Sequence, residues 1–164
     1  MLLLIAETVS CHLKMTKTDQ SLRNITIAAI KRSAQEKEKW RFTNFYSDSK
    51  SATIPQPIRD KLKLAEKELL VASSIASLTE WTVVTTRRIL GNAGGILQEL
   101  ELKEVDSFHW GEFKDKENQT TKIRLTSYNS EDFYFDIETR EGSIVMIYAI
   151  RTLINLNERN KNGS

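Results

Sequence analysis

With 24 basic and 22 acidic side chains in 164 residues, the chain suits one domain, or one domain with an extra arm, and its formal net charge of +2 argues against a dedicated nucleic-acid binder. A single cysteine, Cys11, excludes an internal disulfide framework and fits a reducing, cytoplasmic setting. No run approaches the roughly 20 apolar residues of a transmembrane segment.

Met1–Ala6 is apolar, with Leu2, Leu4 and Ala6 on one face of a short expected strand. No Lys or Arg precedes this run and Glu7 interrupts it, which does not match a secretory signal. Thr8–Cys11 has Thr8 where a lipoprotein cleavage box carries an aliphatic residue. Asp19 is placed to cap a helix reaching about Lys39, with Leu22, Ile25 and Ala29 in one apolar stripe and Ile27, Ala28 and Ile30 widening it. The charged half, Lys31–Lys39, reads as a solvated face. Trp40, Phe42, Phe45 and Tyr46 form a cluster suited to pinning this segment to the rest of the molecule. Pro55 and Pro57, the only two prolines, mark a boundary. Residues 1–55 therefore read as a helix-containing arm, 58–157 as the main domain, and 158–164 as a fraying tail. Ile58–Ala65 suits a helical turn leading into a sheet.

From Glu68 the texture becomes strand and turn. Leu69, Val71 and Ile75 share a strand face, and Ser77–Thr79 turns the chain. Glu80–Leu90 is dense in β-branched residues and reads as one long strand. Its alternation puts Trp81, Val83, Thr85, Arg87 and Ile89 on one side. Gly91–Gly95 follows as a loop able to supply positive φ. Further strands are expected at Ile96–Leu100, at Val105–Trp110 with an extension to Phe113, at Thr121–Thr126 and at Phe133–Glu138. In the last of these, Phe133, Phe135 and Ile137 alternate with Tyr134, Asp136 and Glu138, as in a strand with one wet face. A closing helix is expected over about Gly142–Asn157, with Ser143 as N-cap and Met146, Ala149, Ile150, Leu153 and Leu156 as its stripe.

Six or seven short antiparallel strands and one closing helix resemble the order of a pleckstrin-homology-like (PH-like) domain. Glu66–Leu70 followed by Trp81–Leu90 is similar to the strand texture of bacterial PH-like domains, and Leu102–Ser107 is similar to the segment that opens their fourth strand. The resemblance covers about residues 60–157. It implies an α+β fold in which a strongly bent antiparallel sheet, a partly open barrel, is capped by the carboxy-terminal helix, and it implies binding rather than catalysis. Two features depart from the pattern of eukaryotic members: Val71–Thr79 holds no Lys or Arg, and the closing helix has Tyr148 but no tryptophan.

Chemistry-bearing residues are sparse. Cys11-His12 has no second pair at metal-ligand spacing. His109 lies near Asp106 and Glu112, but no nucleophile stands in a recognisable elbow. Gly91–Gly95 lacks phosphate-loop spacing. Glu99, Glu101, Glu104 and Asp106 suit a solvated edge that resists strand pairing. No catalytic residue, metal site or cofactor is expected. Arg87, Arg88, Lys122 and Arg124, with His109 and Trp110, are the candidate binding residues. The expected role is a non-catalytic module that recognises a protein partner. An immunity-type inhibitor of a cognate toxin and a peripheral membrane or anionic-ligand binder are the alternatives.

Overall fold

A computed structural model describes residues 16–34, 39–48 and 53–161, the side chains of the last three excepted. The expected strand at Met1–Ala6, the Cys11-His12 pair and the end of the tail lie outside the described residues. Helix α1 spans Asp19–Ser33 and α2 spans Gln56–Leu62; α3 spans Glu141–Lys161. Strands β1 (Thr43–Phe45), β2 (Leu70–Ile75), β3 (Glu80–Thr85), β4 (Arg88–Ala93) and β5 (Ile96–Glu101) form one antiparallel sheet in that order. Strands β6 (Val105–His109), β7 (Thr120–Ser127) and β8 (Asp132–Glu138) form a second antiparallel sheet, so the fold is α+β, with two sheets and no closed barrel among the described residues.

Glu80–Leu90 is not one strand. It folds into the β3–β4 hairpin, with Thr86 and Arg87 at the turn. The cause is local: the Thr85 hydroxyl accepts from the backbone N–H of Arg87 (3.2 Å) and of Arg88 (3.0 Å), so a side chain competes with the ladder and turns the chain. The glycine loop narrows accordingly to Gly94 and Gly95, and Gly91 belongs to β4.

Helix α1 is capped by Thr18, whose hydroxyl accepts from Ser21 N–H, rather than by Asp19, and it stops at Ser33. Its buried face uses Leu22, Thr26 and Ile30, a spacing of four, and leaves Ile25 and Ala28 exposed. Thr26 can be buried because its hydroxyl donates to Leu22 O at 2.7 Å. Helix α3 begins at Glu141, two residues before Ser143, and every residue of its expected stripe is buried. It packs on α1 and against β1, β2 and β8.

Strands β2 to β4 are buried on both faces, while β5 is exposed at Ile96 and Leu97. On one side Val84, Ile89 and Leu100 meet Phe135 and Ile137 of the second sheet and the inner faces of α1 and α3. On the other, Trp81, Val83 and Leu90 meet Tyr46, Ile54, Ile58 and Leu62 in a second, smaller core under α2. The segment 39–46 and α1 are thus built into the same packing as the main domain.

One cross-strand row of the larger sheet seats β8. Thr43, Ser74, Thr82, Gly91 and Gln98 are direct partners across β1 to β5. Strand β8 runs along this row. Its Glu138 N–H donates to Ser74 Oγ (2.8 Å), Thr82 Oγ1 donates to Asp136 O (2.6 Å), and Tyr134 N–H donates to Gln98 Oε1 (2.7 Å). Between these, Phe135 passes so close to Gly91 that a Cβ there would lie 2.6 Å from its ring. The side chains of one sheet satisfy the free edge of the other, which explains why buried positions on β2 and β3 are hydroxylated.

Candidate functional site

The six candidate binding residues separate into two groups. Arg87 and Arg88, at the β3–β4 turn, are both held by carboxylates of the fold, Arg88 half-buried and Arg87 exposed. Arg88 Nε donates to Glu68 Oε1 and its Nη1 to Glu99 Oε1, both at 2.8 Å, while Nη2 donates to Leu62 O at 2.7 Å. Arg88 therefore ties β4 and β5 to the carboxy-terminal end of α2. Burial alone raises the Glu68 carboxyl; the hydrogen bonds from Arg88, the Thr85 hydroxyl and Ala65 N–H outweigh it and hold the group below its ordinary range. Arg87 pairs with Asp19 at 2.9 Å and so joins the hairpin to the start of α1. Burial again opposes ionisation of Asp19, and hydrogen bonds from Arg87 and Thr86 prevail to lower its pKa. These two arginines line a cleft of about 660 Å³ whose cations alternate with Asp19, Glu68, Glu99 and Glu101. They form no common basic patch with Lys122 and Arg124, which belong to the other sheet.

His109, Lys122 and Arg124 do gather, and Trp110 does not. His109, Arg124 and Tyr134 are direct partners across β6, β7 and β8, so their side chains share the outer face of the three-stranded sheet, and all three are exposed. Lys122 sits on the same face and donates to Asp136 Oδ1 at 3.0 Å. His109 Nδ1 accepts from Gly111 N–H at 3.2 Å. On the opposite side of β6, the Phe108 and Trp110 rings lie 4.6 Å apart, Trp110 against the core and Phe108 39% exposed at the sheet's open edge. Among the described residues, β6 has β7 on one side and no strand on the other. Tyr134, 41% exposed, was readable from sequence as a large aromatic on the wet face of an alternating strand.

Two further features were not foreseen. Glu138, at the end of β8, is buried and its carboxylate accepts from Arg41 N–H (2.8 Å), Phe42 N–H (2.9 Å) and Thr43 Oγ1 (2.6 Å). It forms the floor of a cleft of about 490 Å³ whose rim mixes Lys39, Arg41 and Arg140 with Glu117 and Glu141. Beside it, Phe113 and Ile144 line a more apolar cleft of about 480 Å³. Among the described residues no group of three or more His, Cys, Asp or Glu side chains is placed to hold a metal ion, and no helix is long and apolar enough to cross a membrane. No family model, curated protein or solved structure matches the chain.

Proposed function

We propose that this chain is a non-catalytic, cytoplasmic binding module of PH-like type that recognises a protein partner through the outer face of β6, β7 and β8. One observation carries the reading: strands β2 to β4 of the larger sheet are buried on both faces, whereas among the described residues the outer face of the smaller sheet is exposed over β6, β7 and the start of β8, where it presents Tyr134 beside Arg124 and His109. Tyrosine and arginine are the side chains that contribute most at protein interfaces, because each offers a large, partly apolar contact surface with a polar tip. The open edge of β6 and the exposed Phe108 extend the surface sideways. Arg87 and Arg88 leave the proposed contact set, because their guanidinium groups already hold α1 and α2.

The test is affinity capture from native cells with the wild-type chain and with Tyr134→Ala and Arg124→Glu. The expected result is one stoichiometric partner on the wild-type bait, lost from both variants while their thermal melts stay unchanged. A partner that both variants retain at full stoichiometry refutes this face as the contact surface.

A further inference from the structure

The chemistry of the partner can be narrowed at the point where β6 leaves the sheet, an inference that rests on the protein-binding reading above. After Trp110 the chain turns outward through Phe113 into the loop 114–119. Phe113 and Ile144, the latter from the first turn of α3, form the apolar cleft of about 480 Å³, and Lys114, Lys116, Arg140 and Glu141 complete its rim. The two walls are bonded to each other. Arg140 N–H donates to Phe113 O at 2.6 Å, and Thr139 donates to Gln119 O (2.9 Å) and Asn118 O (2.7 Å) through its N–H and hydroxyl. The cleft is therefore built before any ligand arrives, so binding loses little to ordering it.

Arg140 stands in the left-handed region, φ 59°, where a side chain is strained and glycine is the usual occupant. Its Nε donates to Asp115 O at 3.3 Å, which holds the guanidinium at the rim. Lys114 Nζ lies 5.6 Å from the centre of the Phe113 ring. Among the described residues, none of Lys114, Lys116 and Arg140 has a carboxylate within 4.0 Å, although Arg140 helps, after the hydrogen bonds from Asn118 and Glu117, to lower the pKa of Asp115, and Glu141 faces Lys39 at 4.0 Å. The start of α3 adds partial positive charge on the same side.

An apolar floor takes one large aliphatic or aromatic side chain, and separate cations around it call for carboxylates on either side. An anionic bilayer fits less well. Glu112, Asp115 and Glu117 alternate with Lys114 and Lys116 along the loop, so a flat negative surface meets as much repulsion as attraction, whereas discrete carboxylates can engage the cations singly. The geometry points to an acidic peptide segment, with one large apolar residue flanked by Asp or Glu, as the ligand of this cleft.

The probe is the blocked peptide Glu-Asp-Phe-Glu-Asp, titrated into the ¹⁵N-labelled full chain. Two control peptides replace the phenylalanine by serine or the acids by glutamine. Saturable amide shifts confined to 113–117 and 140–145 are expected, and both controls are expected to abolish them. Arg140→Gly removes the guanidinium while suiting the backbone, so the fold is retained; affinity should drop about tenfold or more, as for loss of a charged hydrogen-bond donor. Absence of saturable binding, equal affinity for Arg140→Gly, or binding to phosphatidylglycerol vesicles without peptide binding overturns the inference. A captured partner lost from Tyr134→Ala but fully retained by Arg140→Gly also overturns it, and leaves the module reading standing.

Discussion

Glu138 is a single carboxylate that organises a neighbouring segment. It holds the N–H groups of Arg41 and Phe42 and the Thr43 hydroxyl, and thereby sets β1 against β2. Glu138→Ala leaves these donors without their acceptor in a buried place, so a loss of about 2–4 kcal/mol is expected in urea unfolding. An unchanged midpoint would show that water or neighbouring groups replace it. Arg23 is the opposite case. It is 7% exposed, and among the described residues its Nε has no partner and its one hydrogen bond goes to Gln20. Burying a guanidinium without a carboxylate is costly, so Arg23→Met should be neutral or stabilising, by up to about 2 kcal/mol. A clear fall in melting temperature would reveal a contact that the methionine lacks. Neither residue was legible beforehand. Glu138 alternates with Phe135 and Ile137 as a wet-face residue should, and it is buried only because the other sheet lies beneath it.

Among the elements, the row from Thr43 to Gln98 decides how the two sheets meet. Thr82→Val keeps the volume nearly constant but strands the Asp136 carbonyl, so a cost of about 1–2 kcal/mol is expected by chemical denaturation. A neutral result would mean that the hydroxyl is not needed to seat β8. The Glu68–Arg88 bond that fastens α2 makes stability depend on pH. The folded pKa of Glu68 lies below its ordinary value of 4.5, so the unfolded chain takes up the proton first as pH falls. This contribution is complete above 4.5 and is lost as pH falls through the lower, folded value. The urea midpoint should decline over that acid range, and Glu68→Gln should flatten the decline. Identical pH profiles for the two proteins would contradict the assignment. The β3–β4 hairpin was missed for a related reason: β-branched residues on both sides of Thr86 and Arg87 read as one strand, and the deciding hydrogen bonds come from the Thr85 side chain.

For the molecule as a whole, the amino-terminal segment is the informative part. Tyr46 and Ile54 fill the outer core, β1 completes the larger sheet, and α1 lies on α3. A chain beginning at residue 58 would expose both cores along these surfaces, so it should lose its cooperative thermal transition or associate. A monomeric, cooperatively melting fragment would show that the main domain stands alone.

By itself the sequence determined strands β2 and β5 to β8, the apolar stripe of the closing helix and the α+β class, because each is written in the short-range pattern of apolar and polar side chains. Only the tertiary structure decided that there are two sheets, that Arg87 and Arg88 are tied to carboxylates while Arg124 stands in the open, and that Glu138 is buried. Those outcomes depend on which distant strand lies across which row, and a hydroxyl or carboxylate carries no local mark of the backbone group it will meet some fifty to a hundred residues away.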